Sequence, residues 1–274
     1  MTLTAADFDF VRTLVRQHAA IVIDPGKEYL VESRLAPLAR EHGYGSLSAL
    51  LAELRERPAA NLHRRVVEAM TTNETSFFRD PPSFEALRDV VLPELIARRG
   101  AERRLRIWCG AASSGQEPYS VAILLREHFP ILAGWQVQIL ATDIARDVLD
   151  RARRGRYSQL EVNRGLPAPL LLKYFTKVGI EWEIAEPIRR MVGFGELNLV
   201  EPWPALPEFD LVLLRNVLIY FDVPTKQRVL ANVRRVLRRD GTLLLGGAET
   251  TLGLDEAFER VPLGRSLGYR LRSR

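Results

Sequence analysis

Residues 71–80 read TTNETSFFRD, a run of hydrogen-bonding side chains that passes into a Phe pair, an Arg, an Asp and then Pro81 and Pro82. Thr and Asn disfavour a helix interior, no apolar residue recurs at helical spacing, and the proline pair forbids continuation. The stretch is therefore a loop, and an unusually polar one. A second loop, GAASSGQE over 110–117, uses small residues with Gly110 and Gly115, which let backbone approach a ligand closely. A third segment, ATDIA, puts Asp143 at a strand tip, where a carboxylate can accept hydrogen bonds from ribose hydroxyls.

Two cofactor classes compete for this layout. A dinucleotide site wants G-x-G-x-x-G so that a pyrophosphate can sit on a helix N-terminus, whereas this loop reads GAASSG with Gln116 and Glu117 following. A carboxylate at the helix start repels a pyrophosphate and suits a ligand carrying an ammonium or a sulfonium. S-adenosylmethionine carries both, so the spacing favours it over NAD. The plainer alternative is that Glu117 only caps its helix.

The elements that must hold these loops fall into two groups. From Asp7 to Met70 the apolar period is helical, with Phe8, Val11, Leu14 and Val15 on one face, and a small bundle of about four helices is expected over residues 1–70. Residues 71–99 form a linking loop and helix that contribute to the ligand site. After Gly100 short apolar strands alternate with helices, so residues 100–274 read as an α/β domain with a mostly parallel doubly wound sheet. The alternation pauses over about 160–197, where IEWEI and IRRMVGFGEL alternate like two antiparallel strands and suggest an inserted small antiparallel β subdomain. FERVPLGRSLGYRLR suits a closing antiparallel hairpin at the sheet edge. In such sheets ligands sit at the carboxyl ends of the strands, which is where the glycine loop and Asp143 fall.

Composition narrows the classes further. A chain of 274 residues with 47% hydrophobic and 27% charged residues is ordinary for a globular protein, and no apolar run approaches a membrane span. The N-terminus has acids where a signal peptide needs bases, so a cytoplasmic location without membrane insertion is expected. The single Cys109 ends a strand and reads as a buried small hydrophobe, and four scattered histidines give no metal-ligand spacing, so metal chemistry is not expected. A net charge of +5 suggests an anionic partner, but the arginine runs lack the aromatics typical of nucleic-acid binding, and no nucleic acid is expected. No exposed heptad points to a coiled coil, so a monomer is expected.

TTNETSFFRD, WCGAASSGQEPYS, ATDIA, the Asn198–Leu199 pair and FDLVLLRNVLIYFD stand in the order and spacing of the CheR-type chemotaxis receptor methyltransferases, and the chain resembles that family over nearly its whole length. The resemblance implies methyl transfer from S-adenosylmethionine to glutamate carboxylates on the cytoplasmic helical bundle of chemoreceptors, with S-adenosylhomocysteine as product. It implies cofactor contacts from Asn73, Thr75 and Arg79, with Arg79 close to the transferred methyl, and from Glu117 at the methionine end and Asp143 at the ribose. Asn198 and Leu199 match the pair beside the adenine, Arg215 and Asn216 the pair at the fourth strand end, and Tyr220 a tyrosine near the reacting centre.

Plainer roles stand beside these. Arg79 could pair with Asp80 or Glu85, Arg215 could be a rim charge, Tyr220 could be core, and at least one of Phe77 and Phe78 packs between domains. Some family members tether a receptor peptide by strand addition to the inserted subdomain; the compact segment here suggests a member without that tether. The alternative functions are an adenosylmethionine-binding sensor or scaffold without catalysis and a methyltransferase on another substrate. The missing Ser-His-Asp and Cys-His constellations fit a carboxylate nucleophile, already ionised at neutral pH.

Overall fold

The structure is a computed structural model, described over residues 3–57 and 60–272. Four helices come first: α1 (Ala5–Ala19), α2 (Glu28–Glu41), α3 (Leu47–Glu56) and α4 (Ala60–Met70). Thr4 and Ser46 cap α1 and α3 by accepting from the Asp7 and Ala49 amides. Phe8, Val11, Leu14 and Val15 do share a buried face, packed with Val31, Leu35, Leu50, Leu51 and Leu54 into a core of their own.

The polar loop then leads to α5 (Pro81–Ala86), a π-helical turn over Leu87–Val91, and α6 (Leu92–Arg98). The single helix expected here widens where Leu92 N–H donates to the Leu87 carbonyl. Pro93 accounts for this, because it has no N–H for the Asp89 carbonyl and its ring would collide with that oxygen in a regular turn.

The α/β part contains β1 (Arg104–Gly110), α7 (Gln116–His128), β2 (Gln136–Asp143), α8 (Arg146–Arg154), β3 (Arg156–Ser158), α9 (Gln159–Asn163), α10 (Ala168–Tyr174), β4 (Phe175–Val178), β5 (Glu181–Ile184), α11 (Glu186–Arg189), β6 (Val192–Glu196), β7 (Phe209–Leu214), α12 (Val223–Val236), β8 (Leu237–Leu245), β9 (Phe258–Leu263) and β10 (Ser266–Leu271). The main sheet has seven strands in the order β6-β2-β1-β7-β8-β10-β9. All pairs up to β8 are parallel, and β10 and β9 close the edge as the expected antiparallel hairpin. Strand β1 is buried on both sides: Leu105, Ile107 and Cys109 enter one apolar layer and Trp108 the other. The chain runs from β1 outward to β2 and β6, then back to β7 on the other side of β1. That reversal opens a crevice at the carboxyl ends of β1, β2, β6 and β7.

The insertion differs from its sequence reading. The three-stranded antiparallel sheet, β3-β5-β4, spans 156–184, whereas Val192–Glu196 belongs to the main sheet as its edge strand, parallel to β2 with Ile139 opposite Val192. Alternation shows only that one face is wet, a condition the edge strand of a parallel sheet also meets.

The opposite end of the sheet is closed by charge. Buried Arg99 donates from Nε to Asp210 Oδ1 at 2.6 Å and from its terminal nitrogens to Asp240, while Asp210 Oδ2 accepts from the Arg106 amide at 2.8 Å. The end of α6 is thereby fixed to β1, β7 and β8. Losing one partner of a buried ion pair leaves the other charge desolvated at a cost of roughly 3–5 kcal/mol. Because Asp240 remains, Asp210→Asn is expected at the lower end, about 3 kcal/mol in urea unfolding; a loss below about 1 kcal/mol would place this cluster among ordinary surface pairs.

Candidate active site

A cleft lies at the strand ends, with about 900 Å³ of empty space when the open solvent at its mouth is included. Its walls include Asn73, Thr75, Arg79, Glu117, Asp143, Asn198, Leu199, Arg215, Asn216 and Tyr220. These expected positions, scattered over the sequence, meet in one place. Gly110 is not among the lining residues. It pairs with Leu214 in the sheet, and a Cβ there would stand 2.8 Å from the Leu214 side chain, so its smallness serves β1–β7 packing.

The glycine loop is held in a specific shape. Ala111 and Ser113 adopt left-handed backbone (φ 54° and 51°), as does Gly115 (φ 93°), where a Cβ would stand 2.9 Å from that of Ala152. Only glycine meets both demands at 115. Asp143 locks the turn: its Oδ2 accepts from the Ser113 amide at 2.8 Å and its Oδ1 from the Ala145 amide at 2.9 Å. Burial pushes the Asp143 carboxyl above the ordinary aspartate range, against the pull of these amides. Each oxygen keeps acceptor capacity for a ligand hydroxyl. Ser113 Oγ donates to the Asn73 carbonyl at 2.9 Å, which joins the glycine loop to TTNETSFFRD.

That polar loop is anchored by its aromatic pair. Phe77 is fully buried and packs edge-on against Tyr157 and Phe175 of the small sheet at 5.0 and 5.5 Å, not against the helical domain. Phe78 packs on Phe84 at 5.2 Å, and its amide donates to Ser120 Oγ at 2.9 Å. Phe78 and Asp80 are both left-handed (φ 47° and 64°), so Arg79 is carried on a strained elbow. The Arg79 guanidinium donates to the Glu74 carbonyl at 2.8 Å, and among the described residues no carboxylate, neither Asp80 nor Glu85, lies in ion-pair range of it.

Arg215 is no rim charge. Its side chain is 1% exposed and donates to Glu117 Oε2 at 2.8 Å, to the Arg79 carbonyl at 2.8 Å and to Asp80 at 3.3 Å. One guanidinium thus ties the start of α7, the elbow and the end of β7. The helical domain closes the cleft from the other side. Ala19 and Ile21 line it, Asn198 Nδ2 donates to the His18 carbonyl at 2.7 Å, and the Val22 amide donates to the Tyr220 carbonyl at 3.1 Å. Sequence reasoning missed these contacts of α1, as it missed Ser113 and Ser120; no spacing rule links residues so distant in the chain.

Comparison with known proteins agrees with this geometry. Residues 73–266 match the SAM-binding domain of CheR methyltransferases, and residues 6–71 match their all-alpha domain. The chain belongs to the CheR methyltransferase family. It is similar to chemotaxis protein methyltransferase 1 of Pseudomonas aeruginosa, 39% identical with 98% of this chain and 99% of that one covered. Chemotaxis protein methyltransferase Cher2 of Pseudomonas putida is 37% identical, with 96% and 97% covered. Chemotaxis protein methyltransferase 1 of Vibrio cholerae is 39% identical over 96% of each chain. The chain is accordingly an S-adenosylmethionine-dependent methyltransferase of the chemotaxis type. The donor set fits that cofactor: one acid, Glu117, at the start of α7, a second, Asp143, pinned at the end of β2, and apolar Leu199, Val217 and Phe221 between the polar loops. Among the described residues no helix is long and apolar enough to cross a membrane.

Burial raises the Glu117 carboxyl above the ordinary glutamate range even with Arg215 beside it. An acid raised by folding costs no stability below its unfolded pKa of about 4.3, and the cost grows as pH climbs towards its folded pKa. Arg215→Ala removes the counter-ion and moves that folded pKa further up. The variant's deficit against wild type is therefore expected to grow as pH rises above the unfolded glutamate pKa of about 4.3 towards neutrality, reaching about 3 kcal/mol in urea unfolding; a deficit that stays constant over that rise would show that Glu117 does not carry the effect.

Proposed function

We propose that the chain transfers the methyl group of S-adenosylmethionine to glutamate side-chain carboxylates on the cytoplasmic helical bundle of chemoreceptors. The products are glutamate methyl esters and S-adenosylhomocysteine, and the reaction serves adaptation in chemosensory signalling. The relatives' naming as chemotaxis methyltransferases supports the setting. The observation that carries the chemistry is the half-buried Arg79, a cation in the cleft wall whose guanidinium is held by a backbone carbonyl instead of an acid.

Among the described residues the lining of the cleft includes no His, Lys or Cys, and its acids are engaged: Glu117 by Arg215, Asp143 by two amides, Glu74 by Arg164. An amine nucleophile would arrive protonated and need a base. A carboxylate with a pKa of about 4.3 arrives ready to react. Bound S-adenosylmethionine supplies an electrophilic methyl on a sulfonium, which the carboxylate oxygen takes by in-line displacement.

The chain's own residues supply position. In this reading Asn73, Thr75, Glu117, Asp143, Asn198, Leu199, Arg215 and Asn216 hold the cofactor, with Glu117 facing its ammonium and Asp143 its ribose. Arg79 orients the incoming carboxylate, and Tyr220 borders the reacting centre. Orientation matters because carboxylate and sulfonium lose charge as they meet, so water stabilises the separated reactants more than the transition state. A tight ion pair with Arg79 would blunt the nucleophile; a single rim cation held to a carbonyl steers it with less penalty.

Labelled S-adenosylmethionine with purified receptor cytoplasmic fragments is the direct test. Label released as volatile methanol by mild base, and lost when the receptor glutamates are changed to alanine, is the expected result; base-stable label would sink the glutamate reading in favour of another acceptor, and absence of transfer would favour a cofactor sensor. Arg79→Ala is expected to lower turnover by about a hundredfold while S-adenosylhomocysteine affinity changes less than about threefold, the signature of a transition-state contact. Near-normal turnover would remove Arg79 from the reaction.

A further inference from the structure

Glu249 stands outside the cleft lining, yet its carboxylate is the acceptor around which one wall is built. It follows the end of β8 in a turn where its own amide donates to the Gly246 carbonyl at 2.9 Å. The side chain, in a residue only 9% exposed, reaches across to the loop after the neighbouring strand β7. Oε2 accepts from the amides of Asn216 and Gly246, both at 2.7 Å, and Oε1 from those of Val217 at 2.9 Å and Ile219 at 3.3 Å. Asn216 is left-handed (φ 59°), a conformation that costs free energy unless its surroundings hold it.

Gly246 shows how closely the parts fit. A Cβ there would stand 2.6 Å from Asn216 Nδ2 and 2.8 Å from Glu249 Oε2, and its φ is not left-handed, so space and not backbone demands the glycine. The loop held in this way carries Asn216, Val217 and Tyr220 into the cleft.

We infer that Glu249 is a positioning residue for cofactor binding: its carboxylate holds the β7–α12 loop in the shape that presents Asn216 and Val217 to the ligand. The inference rests on the cleft being the S-adenosylmethionine site. A carboxylate suits the task because both oxygens are acceptors, so each can take two amides. In Glu249→Gln one oxygen becomes an NH2 that faces N–H groups, which leaves buried donors unpaired on a strained loop.

The test measures S-adenosylhomocysteine binding by calorimetry and amide hydrogen exchange on the full chain. For Glu249→Gln, the dissociation constant is expected to rise by about tenfold or more, and exchange at Asn216, Val217 and Ile219 to accelerate while that of the β7 amides stays slow. Gly246→Ala, which pushes on the same two side chains from outside, should act in the same direction if the first variant folds poorly. Asp210→Asn, placed at the far end of the sheet, should lower stability and leave affinity unchanged. Affinity within about twofold of wild type in both loop variants, or equal weakening in Asp210→Asn, would overturn the inference. Wild-type chain that fails to bind would overturn the cleft assignment instead, while loop exchange would still report what Glu249 holds.

Discussion

The buried guanidinium of Arg215 is the constraint on which the cleft depends. A charge with 1% side-chain exposure must find its partners inside the fold, and those partners are the first turn of α7, the backbone of the Arg79 elbow and Asp80. Three chain segments far apart in sequence are thus fixed relative to one another by one planar group. Lysine, a point charge without the guanidinium fork, could not address these acceptors in the same plane. Strain collects around this centre: Phe78, Asp80, Ala111, Ser113 and Asn216 are all left-handed without being glycine. Such conformations persist where surrounding bonds over-determine them, and here the bonds come from Ser120, Asp80, Asp143 and Glu249.

Much of the architecture could be read from the order of residues. Runs that are apolar but for one charged residue near the start, LRIWC and FDLVLL, are close to what a strand covered on both faces requires, and β1 and β7 are the sheet's centre. The helical period over Asp7 to Met70 has the same legibility. Strand β6 misled because VGFGE alternates, and alternation reports a wet face without saying which sheet the strand joins. The candidate site was legible as a set of loops, since Gly-rich turns, strand-end acids and a polar loop before a proline pair are local signals. Its buried bonds were not. Arg215 looks like any arginine at a strand end, and Glu249 follows a glycine pair with nothing nearby to show that its acceptors serve a loop more than thirty residues earlier. Gly110, expected at the ligand, has a packing reason for its smallness as well, since the neighbouring strand fills the space a Cβ would take.

The inserted small sheet gains a structural meaning from its aromatic side. Tyr157 donates its hydroxyl to the Ser114 carbonyl at 2.8 Å and packs on Phe77, so one ring braces both the glycine loop and TTNETSFFRD. Gly165 in the same insertion lets its backbone lie against the Phe77 carbonyl, where a Cβ would collide. The insertion is therefore part of the frame of the cleft, whatever else its outer face does.

The division of labour follows from the chemistry. The proposed reaction between a carboxylate and a sulfonium asks for no proton transfer before bond formation, so little of the structure need be spent on bases, and among the described residues the cleft lining includes no His, Lys or Cys. It asks instead for fixed geometry and few waters, because charge disappears along the reaction path. Both demands are met by enclosure. The end of α1 covers the cleft through the His18 carbonyl, the Val22 amide and the Arg16–Asp222 pair at 3.3 Å, while α7, the elbow and the β7 loop are locked from beneath by Arg215 and Glu249. The helical domain is then a wall of the site as well as a neighbour to it, and a change in how α1 seats on the β7 loop would alter both solvent access and the position of Tyr220. Arg79 remains the half-buried cation of the cleft wall, the group that the proposed carboxylate acceptor would meet.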